Sequence, residues 1–176
     1  MIMAVVRKYA QVFNPQVNYN GVHRLAWHNL SHAVGGTENN YAYADTSKKN
    51  FPWTVTAHKF NLNIPDGAYI RQIKFQVKMK ASKSGVVTIP KAGFFTRSER
   101  STYSNVPATE TGYYKGVFWS YGNRSKLTTT PQIYNYTMLE EDVRLANHTV
   151  DGLNSTACGV DLVFKEALDD ARIYID

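Results

Sequence analysis

Three histidines, His23, His28 and His32, fall within ten residues, and the last two have the i, i+4 spacing with which a helix holds a zinc ion. The glutamate that a zinc hydrolase needs is missing from HNLSH, and Gly35-Gly36 follows too closely for a useful helix. We read them as loop histidines. Paired carboxylates are the next chemistry to test: Asp161 with Asp169 and Asp170, or Glu140-Glu141-Asp142. Their positions read as a strand's outer face, a turn and a helix start, where solvated charge is the ordinary role. Neither a Gly-x-Ser-x-Gly, nor a phosphate-binding glycine loop, nor a Cys/His nucleophile arrangement occurs. The expectation is a non-enzymatic chain with no cofactor and no metal.

Binding is the stronger theme. Tyr113 to Tyr121, YYKGVFWSY, concentrates aromatics beside a long polar loop, Thr96 to Thr111. Exposed rings of Tyr113, Tyr114, Trp119 and Tyr121 would stack on sugar rings and hydrogen-bond hydroxyls through their polar tips. The plainer reading, which the alternation favours, puts Val117, Trp119 and Tyr121 on the inward face of one core strand. Nucleic-acid stacking needs aromatics and cations on the same face. In IKFQVKMK they take opposite parities, so no nucleic-acid partner is expected.

These side chains need a scaffold, and its clearest trace is KFNLNIPDGAYIRQIKFQVKMKA, Lys59 to Ala81. The alternation reads as strand, tight turn, strand. Phe60, Leu62 and Ile64 share one parity; Ile73, Phe75, Val77 and Met79 share another, opposite Lys74, Gln76, Lys78 and Lys80. Pro65 and Gly67 suit the turn between them. A bulge near His58-Lys59 would keep Trp53, Val55 and Ala57 facing inward with the following set. Further strands are expected at Val86 to Ile89 (closed by Pro90), Gly116 to Tyr121, Gln132 to Met138, Ala157 to Phe164 and Ala171 to Ile175. Leu139 to Leu145 is the one helical turn. Short strands with turns between them predict an all-β chain: an antiparallel β-sandwich, jelly-roll-like, with little helix. Residues 1–26 read as an N-terminal arm or edge strand and residues 27–176 as the sandwich domain. The last residues, ARIYID, stop inside an apparent strand, the pattern of a chain that continues.

Composition sets the bounds. The 176 residues are 43% hydrophobic and 19% charged, ordinary for one globular domain with a real core. The net charge of +6 suits an anionic partner, although the basic residues never form a dense run. Cys158 is the only cysteine, which excludes an intrachain disulfide, and its parity with Val160, Leu162 and Phe164 marks it as a core residue. The apolar run in MIMAVVRKYA is too short for a signal peptide, and no segment is long enough to insert in a membrane as a helix. The sequons at Asn29, Asn123, Asn135, Asn147 and Asn154 read as Asn/Thr-rich loops rather than glycans.

Phe60 to Val77, together with CGVDLVF (Cys158 to Phe164) and ARIYI (Ala171 to Ile175), resembles a pattern recurrent in structural proteins of tailed bacteriophages and prophages. WHNLSHAVGGTENNYAYA resembles that group's opening, an aromatic-Asn-Leu segment followed by a short Tyr-Ala stretch. Arg71-Gln72 departs from it, standing where a small residue is usual. The resemblance implies a virion component, in the tail, the baseplate or associated with the capsid. Such a protein would act by assembly, with further copies of itself and other virion proteins as partners. It carries over no site residues. The alternative is a carbohydrate-binding module for a host cell-wall polysaccharide, with Tyr113, Tyr114, Trp119 and Tyr121 forming or flanking its site.

Overall fold

The computed structural model describes residues 5–15, 27–34, 40–46, 53–96, 112–114, 117–121, 125–156, 158–164 and 167–176. In chain order the strands are β1 (Val12–Pro15), β2 (Ala42–Asp45), β3 (Trp53–His58), β4 (Gln72–Ala81) and β5 (Lys91–Phe95). Then come β6 (Gly112–Tyr114), β7 (Val117–Tyr121), β8 (Gln132–Leu139), β9 (Gly159–Phe164) and β10 (Arg172–Ile175). Two short helices, α1 (Glu140–Leu145) and α2 (Val150–Asn154), lie between β8 and β9.

The strands form two sheets, β1-β3-β9-β5-β7-β6 and β2-β10-β4-β8, with every pairing antiparallel. Leaving out β1 and β6, the strands pair first with last: β2 with β10, β3 with β9, β4 with β8 and β5 with β7. This is one long antiparallel hairpin rolled over itself, its segments falling alternately into the two sheets. It is the jelly-roll topology. β1 adds an edge strand to the larger sheet.

Residues of one parity on each sheet meet in a single core. Phe94, Leu162 and Phe164 come from the larger sheet, and Phe75, Met79 and Ile173 from the smaller. Trp27 tilts against Phe164 at 5.9 Å between ring centroids. Tyr136 is almost fully buried, and its hydroxyl donates to the Pro90 carbonyl oxygen at 2.7 Å, so burial raises its pKa well above the usual phenol value.

The alternation of β4 holds as expected, with Phe75, Val77, Met79 and Ala81 buried. The preceding half of the expected hairpin does not form a strand. Lys59, Asn61 and Asn63 all take positive φ (57°, 49° and 52°), and residues 59–71 join no ladder. Here the chain leaves β3 in one sheet and crosses to β4 in the other, so there is no neighbour to pair with. The period-two pattern still has a packing cause: Phe60 leans edge-on against Phe75, 6.3 Å between centroids. The side-chain amide of Asn154 stands in for a partner strand. It accepts from the Ile64 N–H and donates to the Ile64 carbonyl, both at 2.8 Å. The turn itself forms, with Gly67 at φ 71° and the Ala68 N–H donating to the Pro65 carbonyl.

Two further expectations need correction. The stretch before Pro90 makes only isolated bridges, Val87 with Ala167 and Thr88 with Lys126; the strand lies after the proline, as β5. Asp161, read as a solvated outer-face charge, is fully buried and accepts a hydrogen bond from the Thr56 hydroxyl.

Candidate functional site

The two sheets differ in what lies behind them. Along β5 and β9 every residue is buried, on both parities. Phe95 lies over Gly159, where an added Cβ would stand 2.5 Å from the Phe95 ring and 2.8 Å from the Ala57 carbonyl oxygen. That close approach explains a glycine inside a strand. The smaller sheet is instead covered on one face only. Its β4 alternates buried and accessible residues, and its other face presents β2, β10, β4 and β8 outward.

On that open face the register lines up one row. Tyr174 of β10 stands opposite Tyr43 of β2 on one side and Lys80 of β4 on the other. Tyr41, just before β2, meets Tyr174 edge-on at 5.9 Å. The Lys80 ammonium lies 4.5 Å from the Tyr41 ring centroid and 5.1 Å from that of Tyr174. The next row is Asp45 opposite Arg172: Nε donates to the Asp45 carboxylate at 2.8 Å while the guanidinium lies 4.5 Å from the Tyr43 centroid. His28 bridges to the Tyr43 backbone and stacks on its ring, 4.8 Å between centroids. Towards β8, Lys78 pairs with Asp176 at 3.0 Å, and Gln76 donates to Asn135 at 2.6 Å.

Each such contact adds little to the stability of the fold, since water and salt compete for it. Their shared effect is to hold several long side chains in one arrangement. Cations already lie against the tyrosine rings. What the face offers a ligand is therefore mostly hydrogen-bonding groups: phenol hydroxyls, an ammonium, a guanidinium, amides and a carboxylate. The Tyr41 hydroxyl is screened from solvent and has no hydrogen-bond partner among the described residues.

The residues singled out from sequence lie elsewhere. Tyr113 and Tyr114 are on β6, Trp119 and Tyr121 on β7, at the far edge of the larger sheet. Their side chains, like most of the loop from Thr96 to Thr111, lie outside the described residues. In the backbone register Trp119 pairs with Gly93 and Tyr121 with Lys91. The expected inward placement of Val117, Trp119 and Tyr121 falls on side chains outside the described residues. His23 lies outside the described residues; His28 and His32 are both exposed. Among the described residues, no group of three or more His, Cys, Asp or Glu could hold a metal. Cys158 is buried, which pushes its thiol up to about 12 and leaves it a poor nucleophile.

Sequence reasoning missed Tyr41, Tyr43, Lys80, Arg172 and Tyr174 as a group. The signal was present in two short strings, YAYAD and ARIYID. Each alternates small or aliphatic residues with Tyr, Arg or Asp, the mark of a strand with one polar, aromatic face. Only the pairing of the first rolled strand with the last brings the two together.

No protein-family model and no curated protein matches the chain. Among solved structures it is similar to the family 30 carbohydrate-binding module of a cellulosomal cellulase of Clostridium thermocellum. That match has a TM-score of 0.43 and 12% identity, over 97% of this chain and 92% of that one. It is also similar to another family 30 carbohydrate-binding module, with a TM-score of 0.45 and 13% identity, over 97% of this chain and 83% of that one. A CBM4 structure gives 0.39 and 12%, over 82% of this chain and 87% of that one. Identities and TM-scores this low assign no ligand to this chain; its fold, by its own strand pairing, is an all-β antiparallel jelly-roll sandwich.

Proposed function

We propose that this protein is a non-catalytic glycan-binding domain whose site is the open face of the four-stranded sheet. The observation that carries the reading is the packed set of Tyr41, Tyr43, Tyr174, Lys80 and Arg172 on a sheet face that the core leaves uncovered. A polyhydroxylated ligand matches a surface of fixed hydroxyls and charged donors, and pre-ordered side chains reduce the entropy lost on binding. Affinity gel electrophoresis against a panel of polysaccharides tests it. The expected result is retardation by at least one polymer, weakened at least tenfold in Tyr174→Ala. A folded Tyr174→Ala protein retarded as strongly as the parent on every polymer contradicts it.

A second reading is an assembly role, as a phage virion component bound to further copies of itself or to other virion proteins. Residues 5–9 favour it: all five are exposed, with Val5 at 87% and Tyr9 at 66%, and they run off the edge strand β1. An arm of this kind suits docking on a neighbouring subunit. Light scattering on the chain and on a version lacking residues 1–9, which keeps the buried Ala10 and Phe13, tests this reading. A defined oligomer that falls to monomers without the arm supports it; monomers in both cases sink it.

A further inference from the structure

We infer that the ligand of the tyrosine face is an acidic polysaccharide, with the Lys80 ammonium as the anchor for its anionic groups. This rests on the glycan reading above. The open face carries four cations, Lys74, Lys78, Lys80 and Arg172, against two carboxylates, Asp45 and Asp176. Both carboxylates are already engaged, Asp45 by Arg172 and Asp176 by Lys78. Lys74 and Lys80 form no ion pair among the described residues, so the face keeps two uncompensated positive charges.

Lys80 is the better placed of the two. Two tyrosine rings hold its ammonium at the centre of the row, 4.5 Å and 5.1 Å from their centroids, and it is partly shielded from water. The cation–π contacts fix its position without neutralising its charge. A carboxylate or phosphodiester oxygen of a glycan would supply the missing counter-charge. The flanking hydroxyl of Tyr174 would meet a ring hydroxyl beside it. Single-stranded nucleic acid also has charge, but it binds chiefly by stacking its bases on open ring faces. Here cations lie against the rings of Tyr41, Tyr43 and Tyr174, which favours the sugar.

Affinity electrophoresis on the full chain tests the inference with three probes: polygalacturonate, a neutral mixed-linkage glucan and a thymidine oligonucleotide. Lys80→Gln and Lys80→Arg are run beside Lys8→Gln, which removes an equal charge from the exposed N-terminal segment. The expected result is retardation by polygalacturonate that weakens as salt rises and falls at least tenfold in Lys80→Gln. Lys80→Arg retains most of it, and Lys8→Gln matches the parent. Equal binding of the neutral glucan, with no effect of Lys80→Gln, overturns the inference and leaves the glycan reading intact. Binding of the oligonucleotide but neither polysaccharide overturns both. Equal losses in Lys80→Gln and Lys8→Gln also overturn the inference, since they mean a diffuse charge effect.

Discussion

The two sheets of this sandwich share one core and differ in their outer faces. In the larger sheet β5 and β9 are buried on both sides, enclosing Lys91, Asp161 and Thr56 along with Phe95 and Val163. In the smaller sheet only one side is buried, and the other carries tyrosines and cations packed side by side. A strand covered on both faces can change little without disturbing the core. A strand covered on one face can vary its outer residues almost freely. On the proposed reading the larger sheet acts as scaffold, and the smaller one presents the surface that would meet a partner.

The comparison is broken most forcefully from the scaffold side. Phe164→Ala removes a fully buried ring and its contact with Trp27, and should destabilise the protein by about 3–5 kcal/mol in urea unfolding. A loss below about 1 kcal/mol would mean that β9 is not the centre of the core. Asn154→Ala leaves the Ile64 N–H and carbonyl without their partners, for an expected cost of about 1–3 kcal/mol in the same assay. An unchanged midpoint there would mean that the sheet crossing is held by other contacts. On the open face, Tyr174→Ala should change stability by no more than about 1 kcal/mol while weakening glycan retardation. That split between stability and binding would be the signature of a binding role for the smaller sheet.

Cys158 gives the smallest effect. Its raised pKa means that the folded thiol resists ionisation. The stability this contributes is complete below the unfolded value near 9.0 and is lost as pH climbs through that value towards about 12. At pH 8 iodoacetamide should modify the protein only when urea unfolds it. Rapid modification of the folded chain would place Cys158 outside the core.

The same contrast explains what the sequence revealed. β4 was legible because one of its faces is wet, so lysines and glutamine alternate with Phe75, Val77 and Met79. KAGFF and GVDLVF lack that alternation because both faces are covered. Asp161 thus looked like a surface residue although it is buried. Phe60, Leu62 and Ile64 alternate for packing rather than pairing, and periodicity alone does not separate the two. The tyrosine face was hidden for another reason. Its residues come from opposite ends of the chain, and nothing local in YAYAD announces that ARIYID will lie beside it.

The most direct test of the division between scaffold and binding surface is amide chemical-shift mapping by NMR, titrating the protein with short fragments of whichever polysaccharide retards it most. The largest shifts are expected at Tyr41 to Asp45, Lys78 to Lys80 and Arg172 to Tyr174, with β5 and β9 little affected. Shifts confined to Gly112 to Tyr121, at the edge of the larger sheet, would contradict it and return the site to Tyr113, Tyr114, Trp119 and Tyr121.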